Sequence, residues 1–266
     1  MVNLELLIKD AEKYYSDEWG TASVGYEERG FYDWCISEIN ECKNVFEIGS
    51  GVGISTERII KCGSNVTSIE ENQFNFEKTV SRLKSSKITL GTTNRYNLER
   101  FTDAGNNLIL GNFITDKLLH DEIIKQLNFD CIVCWFVGVH PATHAKNELR
   151  ELGYRERHPP TYRDLIYDKL FSETAKYLRV GGIISLIERS ELFPNQDVVE
   201  EHIKEFSSYY YLEKYGFKIT KITQLKVENI QSLPGIKMEA FDGDNLVKGA
   251  DQKREHGLTS IIIKRV

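Results

Sequence analysis

The chain has 266 residues, 41% of them hydrophobic and 28% charged, with a formal net charge of −6. That length and apolar share can build a full core for one α/β domain with insertions, and five prolines with no low-complexity tract give no sign of a linker or repeat. The acidity, with pI near 5.6, disfavours a large nucleic-acid footprint, which relies on clustered Lys and Arg, and suits a neutral or cationic partner better.

The opening residues lack a basic start and a long apolar stretch, and no run approaches a membrane span, so a cytoplasmic protein is expected. Residues 3–15 carry Leu4, Leu7, Ile8, Ala11 and Tyr15 at helical spacing, and residues 29–40 repeat the pattern with Tyr32, Ile36 and Ile39. Between them, Trp19 to Tyr26 reads as an aromatic, glycine-punctuated bridge. Residues 44–48 read as a buried strand, stopped at once by Gly49, Gly51 and Gly53 and followed by a helix that Gly63 ends. A strand turning through glycines into a helix brings bare backbone close to a ligand and aims free helix N–H groups at it, as a nucleotide-type cofactor requires. A dinucleotide fingerprint would need its last glycine one place later, where Ile54 stands.

Residues 65–72 form a β-prone run ending in Glu70 and Glu71, and an acid about 20 residues beyond such a turn can accept both ribose hydroxyls. A helix is expected over 73–84, then a long connection over 85–106 with a short helix around 95–101. A third strand and its exit occupy 107–113, and Asp116 caps a helix through 127. The fourth strand is 129–136. Within it, Cys131 and Cys134 point to opposite faces and cannot grip one metal, and the five cysteines show no paired zinc spacing, so no metal is expected. Thr161 and Asp164 are spaced as a capping pair for the next helix. Residues 178–187 give a glycine turn and a fifth strand, a helix runs through about 206–215, and 218–227 and 259–264 are closing strands.

Glu47, Gly49, Gly51 and Gly53, alternating at the end of a strand, resemble the first motif of the class I S-adenosylmethionine-dependent methyltransferases. Leu178-Arg179-Val180-Gly181-Gly182 is similar to the turn that this family usually writes Leu-x-Pro-Gly-Gly, with Val180 in place of proline. The resemblance covers residues 44–266. It implies an α/β, Rossmann-like, seven-stranded mixed sheet in the order 3-2-1-4-5-7-6, the last strand antiparallel, with helices on both faces and insertions near 138–160 and 228–257. Residues 1–43 then form an N-terminal helical cap or lid. The implied cofactor is S-adenosylmethionine, with Glu47, Gly49, Ser50, Gly51 and Gly53 around its methionine end. Glu70 takes the ribose role with Glu71 as understudy, Asn112 meets the adenine's amino edge, Phe113 covers a ring face, and Trp135 stands at the strand end beside the transferable methyl group.

The fourth strand's end should report the acceptor. No Asn/Asp-Pro-Pro-aromatic sequence, Pro-Cys pair or acidic metal cluster follows it; Trp135 and Phe136 stand there instead. Methyl transfer from a sulfonium is an in-line displacement, so the protein's main task is orientation in a dry pocket. An amine becomes cationic as it attacks, and aromatic faces stabilise that charge by roughly 0.5–2 kcal/mol. A hydroxyl needs a base, for which His140 is nearest. Trp135 and Phe136 therefore favour nitrogen, and His140 keeps oxygen open. Trp19 and Tyr26 in the lid, and Tyr162, Arg163 and Asp164 after the insertion, are candidate acceptor contacts; each also has a plain packing or capping role. The reading is an N-methyltransferase acting on a small molecule or peptide, similar in size, acidity and aromatic strand end to the tailoring enzymes of peptide natural products. O-methyl transfer through His140, a catalytically silent cofactor-binding domain, and an RNA methyltransferase disfavoured by charge are the alternatives.

Overall fold

A computed structural model of the chain describes residues 4–94, 105–117, 119–121, 128–137, 162–227 and 255–266. Two helices, α1 (Leu4–Glu28) and α2 (Phe31–Ser37), precede β1 (Asn44–Ile48). There follow α3 (Ile54–Lys61), β2 (Asn65–Glu70), α4 (Gln73–Ser85), β3 (Gly91–Asn94), β4 (Asn107–Leu110) and β5 (Phe129–Trp135). After the fourth-strand insertion come α5 (Tyr162–Thr174), β6 (Leu178–Glu191), α6 (Gln196–Tyr209), β7 (Phe217–Lys226) and β8 (His256–Arg265). Among the described residues no helix is long and apolar enough to cross a membrane.

The strands form one sheet in the order β3-β4-β2-β1-β5-β6-β8-β7. Only β8 is reversed, antiparallel to both β6 and β7; the other pairs are parallel. Without β3 this is the expected order, so the sheet has eight strands where seven were expected. The extra strand pairs with β4 (Thr93 opposite Ile109) inside the connection read as strandless. Gly91-Thr92-Thr93-Asn94 has no apolar residue to announce it; its pairing with a neighbour forms it, and Thr93 is buried there.

Three further expectations change. Trp19 to Tyr26 is no bridge, because α1 runs straight through Gly20 and Gly25. Each glycine costs a helix about 1 kcal/mol relative to alanine, and the burial of Ala22, Ser23 and Tyr26 offsets it. Next, α6 opens at the Asn195 cap, whose side chain accepts from the Val198 amide at 3.1 Å, and ends at Tyr209 rather than near 215 because Tyr211 takes a positive φ of 51°. Finally, β8 starts at His256, inside the second expected insertion. The rest of both insertions, the short helix around 95–101, residues 122–127, Thr161 and His140 lie outside the described residues; the Asp116 carboxylate accepts from the Leu119 amide at 3.4 Å.

Strand alternation divides the core between the two faces of the sheet. Along β5, Ile132 and Cys134 face the layer of Leu165, Leu170 and Phe171 from α5 and Phe206 from α6. Cys131, Val133 and Trp135 face the layer of Phe31, Tyr32, Cys35 and Ile36 from α2 and Ile54 and Ile59 from α3. The two strand thiols are thus on opposite faces, both buried and unpaired. At the amino-terminal rim, Asp130 accepts from the Lys43 and Asn44 amides (2.8 and 2.9 Å) and pairs with Arg179 (2.9 Å), clamping β1, β5 and the start of β6. The opposite rim, where the parallel strands end, is therefore the one left to loops and α1.

Phe46 is fully buried in this core, with ring centroids of Phe129, Tyr177 and Phe113 at 5.4, 5.8 and 6.1 Å. Phe46→Ala is expected to lower unfolding stability by about 3–5 kcal/mol, read as a shift of the urea midpoint at unchanged slope; a shift well under that range would show the ring is not part of a close-packed core.

Candidate functional site

The carboxyl end of β1 turns through three glycines that all take positive φ: Gly49 at 82°, Gly51 at 53° and Gly53 at 84°. L-residues rarely adopt that region, so the turn is glycine-specific. Its last glycine is also the N-cap of α3, with no side-chain cap bond, and it allows α4 to approach: a Cβ on Gly53 would lie 2.9 Å from the Thr79 Cα. Thr79 secures the contact by donating to the Gly51 carbonyl (2.9 Å), with the Ser50 hydroxyl 3.3 Å away.

Two buried acids brace the turn from either side. Glu47, on β1, accepts from the Ser55 and Thr56 hydroxyls of α3, each at 2.5 Å, and is thereby a tie between strand and helix. Glu70, the last residue of β2, accepts from the Gly51 amide at 2.8 Å and the Asn72 amide at 2.9 Å. Burial raises the affinity of both carboxyls for their protons against the hydrogen bonds that lower it; for Glu70 the neighbouring Glu71 adds to burial, and its pKa is pushed up to about 8. A carboxylate positioned by two backbone amides retains lone pairs for further donors, such as a diol.

Glu71 lies beside it. One of its oxygens accepts from Asn112 Nδ2 and from the Tyr162 hydroxyl, both at 2.6 Å, so three candidate residues from the β2 exit, the β4 exit and α5 meet at one carboxylate. Asn112 is engaged at both ends, because its Oδ1 accepts from the Ile114 and Thr115 amides (2.8 and 3.0 Å).

Helix α1 lies over this rim. Trp19 is seated on the glycine turn, its Nε1 2.3 Å from where a Gly51 Cβ would be. Tyr26 packs edge-on to Trp19 (6.2 Å) and against Phe136 (5.0 Å). The helix is held by Asn72 Nδ2 donating to the Glu12 carbonyl (3.0 Å), by Lys78 with Asp17 (2.7 Å) and by Arg58 with Glu27 (3.1 Å). Tyr15 faces the acids: burial, then Glu70 and Glu71, raises its hydroxyl pKa, and Arg189 opposes them. Tyr15 and Arg189 were not singled out from sequence; Tyr15 reads as one more helix-face residue, and Arg189 follows an apolar strand whose real length only its pairing with β8 reveals.

Several candidates are placed elsewhere. The Trp135 indole is buried and donates to the Ser185 hydroxyl on β6 at 3.0 Å, and Phe136, at φ 55°, packs between Tyr26 and Tyr32, so both aromatics belong to the layer under α1 and α2 rather than to an open strand end. The alternation of β5 could have indicated this, since Trp135 shares a face with Cys131 and Val133. Phe113 is in the core of the other face, against Phe46 and His120. Arg163 pairs with Glu188 (2.7 Å) and Asp164 accepts from the Tyr210 hydroxyl (2.8 Å), which fastens α5 to β6 and to the residue after α6. His140 lies outside the described residues.

No protein-family model matches the sequence, and no curated protein matches it. Solved structures do. A putative sarcosine dimethylglycine methyltransferase from Galdieria sulphuraria aligns over 96% of this chain and 98% of its own, with TM-score 0.53 and 10% identity. A putative RNA methyltransferase from Pyrococcus horikoshii aligns over 89% and 82% (TM-score 0.46, 12% identity), and a SAM-dependent methyltransferase from Methanosarcina mazei over 85% and 93% (0.43, 12%). The first of these, with the strand order, establishes that the chain has the fold of the class I S-adenosylmethionine-dependent methyltransferases.

Two outcomes check this geometry. A Gly51→Ala side chain meets Trp19 at a strained φ, so the variant should lose about 1–3 kcal/mol of stability, and adding Trp19→Ala should return the steric part; no recovery would mean Trp19 does not seat there. For Glu70, a folded-state pKa of about 8 against an ordinary 4.5 means the folded protein holds the extra proton between those values. Its contribution is full below pH 4.5 and is lost as pH rises through 8. Denaturant titrations should show stability of the ligand-free protein falling across that window, and Glu70→Gln should flatten the fall; parallel profiles would contradict the raised pKa.

Proposed function

With that fold as premise, we propose that the chain is an S-adenosylmethionine-dependent methyltransferase that methylates an amine nitrogen of a small molecule or peptide. The observation that carries the reading is the pairing of the positive-φ glycine turn with Glu70, whose carboxylate is fixed by the Gly51 and Asn72 amides at the end of the adjoining strand.

The residues fit the cofactor. Gly49, Gly51 and Gly53 hold the turn at positive φ beside the uncapped start of α3, and a Cβ on Gly51 or Gly53 would strike Trp19 or Thr79, so the turn's shape depends on glycine. Glu70 has acceptor capacity left for the ribose hydroxyls, Ser50 and Glu47 shape the turn beneath the methionine end, and the Glu71, Asn112 and Tyr162 cluster borders the adenine side. When bound, the cofactor supplies a methyl group on a sulfonium. The chain's own contribution is then orientation and exclusion of water, and α1 is built for the second: Trp19, Tyr15 and Tyr26 lie across the rim. Residues 1–43 act as the lid, and 44–266 as the catalytic domain.

Nitrogen is favoured because a neutral amine needs no base in the attacking step, and the half-buried ring of Tyr15 beside the acids offers a face to the developing cation. The cytoplasm suits a chain whose five cysteines are all free.

Labelled S-adenosylmethionine offered with matched amines, amino-terminal peptides, phenols, carboxylic acids and RNA is expected to label amines, with the methyl located by mass spectrometry. Label on hydroxyls alone would overturn the nitrogen assignment and turn attention to His140. By calorimetry, Glu70→Ala should weaken S-adenosylhomocysteine binding roughly 10- to 100-fold, as loss of hydrogen bonds to a charged group predicts; unchanged affinity would remove Glu70 from the ribose.

A further inference from the structure

The strand β6 outruns its parallel neighbour. The last pair it makes with β5 is Ile187 with Trp135, where the Phe136 amide donates to the Ile187 carbonyl at 2.7 Å. From Glu188 to Glu191 it pairs only with β8, so one edge of this stretch borders the crevice at the ends of the parallel strands. Its side chains alternate between the faces. Glu188 turns to α5, where Arg163 neutralises it at 2.7 Å. Arg189 turns to α1, close enough to Tyr15 and Tyr26 for its charge to act on both hydroxyls.

Arg189 differs from the other charged groups at this rim. Glu70 is held by two amides and Glu71 by Asn112 and Tyr162, and among the described residues neither forms an ion pair with it. Its Nη1 is buried without a hydrogen-bond partner, and so is the Tyr26 hydroxyl beside it. Buried donors are nearly always satisfied, and a guanidinium nitrogen is among the costliest to leave alone. Arg189 acts on the Tyr26 oxygen as a hydrogen-bond donor does, which leaves the phenol's own proton and the Nη1 hydrogens without an acceptor, and two such donors side by side describe a site for an anionic oxygen. Among the described residues Arg189 is the cation that acts on both tyrosines, which matches a single negative charge, and the planar fork of a guanidinium matches a carboxylate.

We propose that Arg189, with the Tyr26 hydroxyl, anchors a carboxylate of the acceptor, so that the substrate is an amine carrying a carboxylate in the manner of an amino acid or a peptide's end. The inference rests on the methyltransferase reading and narrows its substrate class. It places Arg189 as the determinant that selects among amines, while the glycine turn and Glu70 serve the cofactor.

The test uses the full chain with amino acids, their carboxyl-terminal amides, the decarboxylated amines and aminoalkyl phosphates. Wild type should favour carboxylates over the matched amides in kcat/KM. Arg189→Gln should raise KM for carboxylates roughly 10- to 100-fold, the loss expected of a charge-assisted hydrogen bond, and shrink the carboxylate-to-amide ratio towards one. Arg189→Lys should recover part of the ratio, and both variants should bind S-adenosylhomocysteine as wild type does. Equal loss on carboxylates and amides, or a wild-type preference for amides, plain amines or phosphates, overturns the proposal. Should Arg189→Gln fail to fold, wild-type selectivity decides. Should no member turn over, thermal protection of the S-adenosylhomocysteine complex decides: carboxylates should protect and amides should not, and the reverse or no difference overturns it. Absent S-adenosylhomocysteine binding would instead bring down the methyltransferase reading itself.

Discussion

The structure depends first on the carboxyl group of Glu70. It sits at the tip of β2, buried, and accepts from an amide of the glycine turn on one side and from Asn72, the cap of α4, on the other. The turn between β1 and α3, the end of β2 and the start of α4 are thus held in register by one side chain. Three glycines at positive φ have no intrinsic reason to choose this conformation over others, and their conformational freedom must be offset by such ties. Glu47 performs the equivalent task beneath, fastening β1 to α3 through two hydroxyls. Burial outweighs the hydrogen bonds at both acids, so each holds its proton more tightly than a carboxyl in water.

Helix α1 is anchored to the sheet along its second half. The second half of α1 buries Ala22, Ser23 and Tyr26 among residues of the sheet and α2, and apolar burial of one such aromatic is worth about 1.5–3 kcal/mol. Nearer its start, Asn72 donates to the Glu12 carbonyl and Lys78 pairs with Asp17 at the surface, and exposed pairs of that kind contribute about 0–1 kcal/mol.

Much of the framework is legible in the sequence because it is written in apolar runs with abrupt stops. β1 announces itself by Val45, Phe46 and Ile48 against three glycines, and β6 by Ile183, Ile184, Leu186 and Ile187 after Gly181 and Gly182. Glu70 is legible because its distance from the turn is fixed by one helix and one strand. What escapes is whatever pairing or packing alone decides. β3 has no apolar residue, only a shared edge. Gly20 and Gly25 suggest a break that burial overrides. Trp135 looks available for chemistry until the alternation of β5 places it on the face that α2 covers. Arg189 needs the length of β6 beyond β5, a fact about neighbours that no local spacing carries.

The central claim is that Glu70 meets the cofactor's ribose, and proton release measures it most directly. In the free protein near neutral pH the carboxyl holds its proton; to accept two hydroxyls it must ionise. Calorimetric titration with S-adenosylhomocysteine at pH 7, in buffers of different ionisation enthalpy, should therefore show release of about one proton per site in wild type and none in Glu70→Gln. Tight binding with no proton release, or the same release from both proteins, would contradict the assignment of Glu70 and with it the account of how this turn holds its ligand.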